Sequence, residues 1–214
     1  MHGLMLVTDR ALCGGRRMVD VAMQAVAGGV AAVQLREKAL NTRAFMEEAR
    51  ALKTMLTGSP VPLIINDRVD VALAIDANGV HLGQEDMAAR DARRILGRKA
   101  IIGLSVETWE DVVAAQELDV DYLGVSPVFA TPTKTDTKGA WGLEGISRIR
   151  AFSRHPLVAI GGINAANAVD VVQAGAQGVA VVSAICAAPD PRQATAELCA
   201  CIRQALFSTG PGHI

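Results

Sequence analysis

Aromatic residues are scarce, at 3% of the 214 residues, although half of the residues are hydrophobic. A core built from this sequence must therefore be aliphatic, made of valine, isoleucine, leucine and alanine. No apolar run approaches the roughly 18 residues that a membrane-spanning helix needs. The opening residues lack a basic region and their apolar run stops at Asp9, so we do not expect a signal peptide.

Neither the cysteines nor the charged residues form a pattern that indicates a particular function. The four cysteines form neither a CxxC pair nor a zinc-ligand spacing, which is typical of core residues or incidental thiols in a reducing cytoplasm. The formal net charge is −1 and no basic block is present, which argues against nucleic acid or an anionic membrane as the main partner. We also find no Ser/His/Asp or Cys/His arrangement for nucleophilic catalysis. The sequence therefore predicts a cytoplasmic protein with neither of these partners.

A short aliphatic segment followed by an amphipathic, alanine-rich segment recurs along the whole chain. The predicted strands cover residues 4–8, 32–36, 63–66, 79–82, 100–104, 122–125, 157–160 and 178–182. The predicted helices lie near 18–27, 42–56, 69–75, 87–96, 108–118, 143–152, 165–174 and 191–207. Alternation of this type predicts a parallel sheet, and eight units fit a single-domain (β/α)8 TIM barrel over 1–207, followed by a flexible tail at 208–214. An open doubly wound sheet is the alternative, but no GxGxxG follows the first strand.

Polar residues occupy the predicted carboxyl ends of the strands, where barrels bind their substrates. On the second strand, Gln34, Arg36 and Lys38 alternate with Leu35 and therefore share one face. If Leu35 packs against the helices, the other three point toward the barrel axis. Burying two cations there is costly unless an anion binds. The alternative is a solvated strand end with ordinary ion pairs.

Further polar side chains follow the next three strands. Asp67 and Asp86 come from neighbouring loops and suit a magnesium site, although each could instead cap the helix that follows it. Ser105 suits a phosphate contact, but the pattern alone favours a cap of the fifth helix. His81 has no metal-ligand spacing to another histidine, which favours a packed, hydrogen-bonded side chain.

The stretch 121–136 runs from a strand into a loop that holds Thr131, Thr133 and Lys134 between or beside prolines. Two hydroxyls and an ammonium in such a loop suit an anion. Gly162 after strand 7, and Ser183 at the start of a short helix after strand 8, indicate a phosphate site, although a glycine pair also suits a plain tight turn. The rim therefore offers two anion sites, which indicates two phosphorylated substrates with the diphosphate on the more charged side.

These motifs, in this order, resemble the thiamine phosphate synthase family. The matching segments are LVTD at 6–9, QLREK at 34–38, INDR at 65–68, GVHLGQEDM at 79–87, IGLS at 102–105, the stretch 122–134, AIGGI at 159–163 and GVAVVSAI at 178–185. The resemblance implies a (β/α)8 barrel that joins 4-amino-2-methyl-5-hydroxymethylpyrimidine diphosphate to 4-methyl-5-(2-hydroxyethyl)thiazole phosphate, or its carboxylated tautomer. It also implies release of pyrophosphate with the help of one Mg²⁺ ion per subunit.

The resemblance also implies a role for each matched position. The pyrimidine diphosphate would be held by Gln34, Leu35, Arg36, Glu37, Lys38, Asn66, Ser105 and Lys134. The thiazole phosphate would be held by Thr131, Pro132, Thr133, Gly162, Val182 and Ser183. Asp67 and Asp86 would bind Mg²⁺, and the catalytic group would comprise Arg36, Lys38, Ser105 and Lys134. The sequence departs from the family at Ser126, where glycine is usual, and over 135–140.

Three other readings stay open at this point. A thiazole tautomerase shares the barrel but needs neither a diphosphate site nor magnesium. A Schiff-base aldolase would use Lys134 as its nucleophile, although a proline-rich loop is a poor place to desolvate an amine. A non-catalytic phosphate-binding barrel is the third reading, and a homodimer is possible in each case.

Overall fold

A computed structural model describes residues 2–131 and 139–208 of the chain. Eight parallel strands pair in chain order, and the first also pairs with the eighth, which closes the barrel. The strands are β1 (Gly3–Val7), β2 (Ala32–Leu35), β3 (Leu63–Asn66), β4 (Gly79–Leu82), β5 (Ile101–Val106), β6 (Tyr122–Val125), β7 (Leu157–Ile160) and β8 (Gly178–Val181). The (β/α)8 barrel predicted from the alternating segments is confirmed.

Helices surround this barrel and follow the strands. They are α1 (Met18–Ala27), α2 (Thr42–Met55), α3 (Val69–Ala74), α4 (Ala89–Leu96), α5 (Trp109–Ala115), α6 (Gly142–Phe152), α7 (Ala168–Gln173), α8 (Ser183–Cys186) and α9 (Pro191–Ser208). A short 3-10 helix (Ala11–Cys13) lies between β1 and α1. Within the described ranges, no helix has both the length and the apolar content to cross a bilayer. Beyond Ser208, the predicted tail lies outside the described residues.

The first residues of the helices show whether Ser105, Asp86 and Asp67 act as helix caps. Thr108 caps α5 in a capping box with Asp111, while Ser105 lies inside β5, so the cap reading of Ser105 is wrong. Asp86 lies three residues before the first residue of α4, and its carboxylate accepts a hydrogen bond from the Gly83 amide at 2.7 Å. The start of α3 has no side-chain cap either, so Asp67 does not cap it.

Two layers of apolar side chains hold the barrel. The larger lies between the strands and the helices, and a smaller cluster fills the barrel interior. The interior cluster comprises Met5, Val7, Ala32, Tyr122, Val158 and Ala180. Tyr122 is the chain's single tyrosine and is completely buried, and its burial raises the pKa of its hydroxyl. The aliphatic core expected from the composition is therefore present, with one aromatic ring at the barrel axis.

Two strand glycines make room for that ring and for its neighbour. A Cβ on Gly103 would lie 2.1 Å from Cζ of Tyr122 and 2.5 Å from Nδ1 of His81. A Cβ on Gly124 would lie 2.7 Å from Cε1 of His81. No real Cβ approaches another atom so closely, so a side chain at either position forces the two rings to move.

We predict that Gly103→Ala lowers the free energy of unfolding by about 3 kcal/mol, because an overpacked core must displace Tyr122. Urea unfolding at neutral pH measures the change. The matched control adds the same alanine to a Tyr122→Leu variant, where the added cost should be clearly smaller because the clash with the tyrosine ring has gone and only that with His81 is left. Equal costs in both backgrounds would contradict the steric explanation.

Candidate active site

A cavity of about 380 Å³ opens at the carboxyl ends of the strands, where the polar segments of the sequence converge. Most of the site residues predicted from the sequence line it. These are Gln34, Arg36, Lys38, Asn66, Asp67, Asp86, Ser105, Thr131, Gly162, Val182 and Ser183. Three other predicted residues, Pro132, Thr133 and Lys134, lie outside the described residues. The cavity therefore unites residues that are spread over some 150 positions of sequence.

The alternation expected on β2 is present. Gln34 is only 5% exposed and lies deep in the cavity, while Arg36 and Lys38 line it closer to the rim. Leu35 faces the other way and is fully buried in the layer between strands and helices. The prediction that Leu35 contacts a ligand therefore rests on its backbone alone.

Glu37 also turns its side chain away from the cavity. Its carboxylate accepts hydrogen bonds from the Ala39 amide at 2.7 Å and from Nε of Arg10 at 3.0 Å. Arg10 in turn binds Glu48 on α2. Burial favours a raised pKa for Glu37, but the Ala39 amide and Arg10 outweigh it and lower the pKa. Glu37 was predicted as a substrate-binding residue, and its carboxylate instead fixes the loop that carries its two basic neighbours.

Arg36 is held by groups that follow β1. The buried Thr8 hydroxyl accepts a hydrogen bond from the Arg36 amide at 3.0 Å. The guanidinium lies 3.9 Å from a carboxylate oxygen of Asp9. Thr8 does not line the cavity, so its contribution is to fix the backbone of β2 where the arginine leaves it. The sequence placed polar residues here but could not show this contact between strands.

An ammonium and two carboxylates meet on the adjacent part of the rim. Nζ of Lys38 lies 2.5 Å from Oδ2 of Asp67, whose backbone has a left-handed φ of 62°. Partial desolvation, and then the nearby Asp67, raise the pKa of Asp86, while the Gly83 amide and, to a smaller extent, Lys38 oppose the rise. The Asp86 side chain is exposed, so solvent screens this repulsion. Lys38, Asp67 and Asp86 all line the cavity, so this part of the rim presents one ammonium and two carboxylates to a ligand.

The deepest polar groups form a hydrogen-bonded chain across the barrel. His81 contacts the Tyr122 hydroxyl through Nδ1 and the Ser105 hydroxyl through Nε2, both at 2.9 Å. The two rings also stack, with centroids 5.5 Å apart. Above them, Nε2 of Gln84 donates to the Ser105 carbonyl at 2.6 Å. The packed, hydrogen-bonded histidine that we predicted is confirmed, but its tyrosine partner had no signal in the sequence.

The opposite half of the rim is built by close contact between two loops. Gly161 and Gly162 both have positive φ, and a Cβ on either would meet Pro127 or Phe129 within 2.8 Å. The Val128 amide donates to the Ile160 carbonyl at 2.9 Å, which ties the loop after β6 to the end of β7. The glycine pair therefore serves both a tight turn and the wall of the cavity.

The short helix predicted after β8 is present as α8, and it begins with Ser183 in the cavity wall. Ser126, the departure from the family pattern, is buried and also lines the cavity. Other lining residues had not been predicted as site residues. They include Met5, Val7, Gln84, Glu85, Glu107, Asp111, Ile160 and Ile163. Within the described residues, no group of three or more His, Cys, Asp or Glu side chains is arranged to hold a metal.

Comparison with known proteins agrees with this geometry. A family model described as thiamine monophosphate synthase matches residues 4–185. A thiamine-phosphate synthase from Albidiferax ferrireducens is 61% identical over 188 residues, which cover 88% of this chain and 86% of the relative. Another, from Leptospira biflexa, is 53% identical over 202 residues and covers 92% and 96% of the two chains.

Solved structures extend the comparison. A thiamine phosphate pyrophosphorylase from Pyrococcus furiosus has a TM-score of 0.87 and 40% identity, covering 95% of this chain and 96% of that one. A 3-hexulose-6-phosphate synthase has a TM-score of 0.70 at 21% identity, covering 94% and 99% of the two chains. The second likeness shows only the shared barrel fold.

We predict that Glu37→Gln lowers the free energy of unfolding by about 1–2 kcal/mol at neutral pH, because it weakens charge-assisted bonds to a buried carboxylate. The pKa of Glu37 is lowered in the folded state, so its stabilisation is present above the unfolded pKa and disappears as the pH falls through the folded value. The difference between wild type and variant should therefore shrink in acid.

Denaturant unfolding across this pH range measures the effect. Asp20→Asn is the control, because the Arg17–Asp20 pair is exposed and should contribute nothing measurable. A difference between wild type and Glu37→Gln that stays constant down to acid pH would contradict the assigned cause.

Proposed function

We propose that this chain, which belongs to the thiamine monophosphate synthase family, is the transferase that joins a hydroxymethylpyrimidine diphosphate to a thiazole phosphate and releases pyrophosphate. The observation that carries the proposal is the cavity at the carboxyl ends of the strands, in which basic side chains stand on one half of the rim and glycines and hydroxyls on the other. Two small phosphorylated substrates fit such a division.

The pyrimidine diphosphate belongs on the β2–β5 half. Gln34, Asn66 and Ser105 lie deep and offer neutral donors and acceptors, which suit a heteroaromatic ring with an amino group. Arg36 and Lys38 stand nearer the rim and offer positive charge, which suits the diphosphate. The order of Gln34 on β2, and then of Arg36 and Lys38 in the loop after it, therefore matches a substrate that enters ring first.

A divalent cation also fits this half. Asp67 is close enough to Asp86 to raise the pKa of the Asp86 carboxyl, and a cation bound between the two carboxylates removes that repulsion. Carboxylate oxygens from two loops, completed by water and by substrate phosphate, suit Mg²⁺. Mg²⁺ held there would neutralise the negative charge that grows on the departing pyrophosphate.

The thiazole phosphate belongs on the β6–β8 half. Gly162 approaches the cavity without a side chain, and Ser183 brings a hydroxyl to the start of α8. The first amide groups of a helix have no acceptor within the helix, so they suit phosphate oxygens. Thr131 lines the same half, and we assign Pro132 and Thr133 to this substrate from the family pattern.

The bond changes need no general base. The bond between the pyrimidine methylene carbon and the diphosphate oxygen breaks, and its electron pair leaves with pyrophosphate. The thiazole nitrogen then donates its lone pair to the resulting pyrimidine cation. Arg36 and Lys38 stabilise the leaving group, together with Lys134, and preorganised charges of this type supply several kcal/mol. Holding the two rings face to face supplies much of the rest.

Other expectations stay predictions, among them a cytoplasmic location, a homodimer, and the preferred thiazole tautomer. Lys38, the lysine that the described residues place in the cavity, forms an ion pair with Asp67, and an ion-paired amine does not suit a Schiff-base nucleophile.

A direct assay tests the proposal. We predict that the purified chain, mixed with both substrates and Mg²⁺, forms thiamine phosphate and pyrophosphate in equal amounts, as measured by chromatography and a coupled phosphate assay. A folded protein that binds either substrate without forming product would contradict the synthase assignment and favour a binding barrel. Borohydride trapping of substrate on a lysine would favour an aldolase instead.

We further predict that Lys38→Ala and Asp67→Ala each lower turnover by about 10²-fold or more, because preorganised charges around the leaving group are lost. The readouts are steady-state kinetics and thermal shift with Mg²⁺. Mg²⁺ should raise the melting temperature of wild type and of Lys38→Ala, but not of Asp67→Ala.

Lys53→Ala is the matched control, since this lysine contacts the Asp76 carbonyl and lies outside the cavity. Near-normal turnover of Lys38→Ala and Asp67→Ala at saturating Mg²⁺ would show that the leaving-group site is misplaced.

A further inference from the structure

Arg16 joins the segment after β1 to the segment after β8, and these two strands are neighbours in the barrel. It follows the 3-10 helix that comes after β1, and its guanidinium lies against the end of α8. In the described part of the chain, its hydrogen bonds all go to backbone carbonyl oxygens. Nε donates to Cys13 at 2.8 Å, Nη2 to Cys186 at 2.8 Å, and Nη1 to Ala188 at 2.7 Å and to Pro189 at 3.5 Å.

The helix that Arg16 holds is a single turn. It begins with Ser183 in the cavity wall and ends at Cys186, where the guanidinium binds. Its own bonds join the Cys186 amide to the Val182 carbonyl at 2.9 Å and the Ala187 amide to the Ser183 carbonyl at 3.0 Å. One isolated turn is unstable without tertiary support, because forming it fixes several residues for few hydrogen bonds. Whatever fixes the last carbonyls of α8 therefore also fixes Ser183, about 5 Å away along the axis.

Arginine is suited to this task, and lysine is not. The planar guanidinium presents several donors at fixed angles, so one side chain reaches carbonyls of both segments at once. Basic side chains also favour the carbonyl end of a helix. Arg17, the next residue, instead pairs with Asp20 on the surface. The two arginines therefore carry the same charge in adjacent positions but make different contacts, which makes Arg17 a matched control.

We propose that Arg16 is a positioning residue for the thiazole phosphate half of the site, acting by clamping α8 to the segment after β1. It does not line the cavity, so it touches neither substrate directly. The inference rests on the proposed function only in naming the phosphate that α8 receives. The clamp itself is a property of the fold and is testable without substrate.

The buried thiols offer a reporter of the clamp. Cys13 and Cys186 belong to the two clamped segments and are both completely buried. Their thiols bond to carbonyls next to β1, Cys13 to Asp9 at 3.3 Å and Cys186 to Val7 at 3.8 Å. Cys199 is buried elsewhere, on α9, where its thiol contacts the Gly29 carbonyl. Local opening of the clamp therefore exposes the first two thiols and leaves the third protected.

Kinetics of the full chain provide the first test. For Arg16→Ala we expect the KM for thiazole phosphate to rise roughly tenfold or more, because several charge-assisted bonds that fix α8 are lost. The KM for the pyrimidine diphosphate should change by less than about twofold, because Thr8, which holds Arg36, is fixed to β2 by its own amide bond to the Gln34 carbonyl at 2.9 Å and is not among the partners of Arg16 given above. Arg16→Lys should fall between Arg16→Ala and wild type, and Arg17→Ala should behave as wild type. Equal changes in both KM values, or no change in either, would overturn the proposal.

Thiol alkylation without substrates provides the second test, read residue by residue by mass spectrometry. In Arg16→Ala, labelling of Cys13 and Cys186 should accelerate by about tenfold or more, while Cys199 stays as slow as in wild type. Acceleration of Cys199 to the same extent would mean global destabilisation and would overturn the clamp. If Arg16→Ala does not fold, Arg16→Lys decides by the same pattern.

The two tests separate the proposals. A wild-type protein that makes no thiamine phosphate would remove the proposed function, and the labelling pattern would still decide whether Arg16 clamps α8.

Discussion

Closure of eight parallel strands is the constraint on which the rest of the structure depends. It brings every strand to the same rim with its carboxyl end, and it leaves no edge strand to be paired. Space at the barrel axis is limited, and the absence of side chains at Gly103 and Gly124 leaves room for the rings of Tyr122 and His81. Because all eight strands end at the same rim, polar residues that lie far apart in sequence meet there around one cavity.

The division of the rim follows from which strands are neighbours. Charged side chains come from the loops after β2, β3 and β4, which are adjacent in the barrel. Glycines and hydroxyls come from the loops after β6, β7 and β8, on the far side. One half of the rim therefore presents charged side chains, and the other presents glycine backbone and hydroxyl groups. The two halves face each other across the cavity.

Much of this could be predicted from the sequence. The alternation of aliphatic and amphipathic segments determines the barrel, and the period of two along β2 predicts that Arg36 faces inward while Leu35 faces outward. Helix starts were harder, because Asp86 and Ser105 are residues that also cap helices. Only the backbone register shows that Ser105 lies within β5 and that Thr108 is the cap.

The contacts that position the site could not be predicted, since they join residues remote in sequence. Glu37 belongs to a motif typical of substrate binding, yet its carboxylate is used by Arg10, which the sequence gives no reason to place nearby. Arg16 looks like one of two surface arginines until α8 is seen to end beside it. The local sequence shows which residues carry charge. Whether a charge is already paired with another group of the protein depends on tertiary packing.

The ion pair between Lys38 and Asp67 has a consequence for how ligands enter. While the ion pair is intact, the ammonium of Lys38 and the carboxylate of Asp67 neutralise each other. An anion that takes Lys38 leaves Asp67 in need of a cation, and a cation that takes Asp67 frees Lys38. If the two ligands are the diphosphate and the cation of the proposed function, they would bind with positive cooperativity, and the apparent affinity for either would rise with the concentration of the other. On that proposal, the barrel rim would favour binding of a diphosphate together with its metal over binding of either one alone.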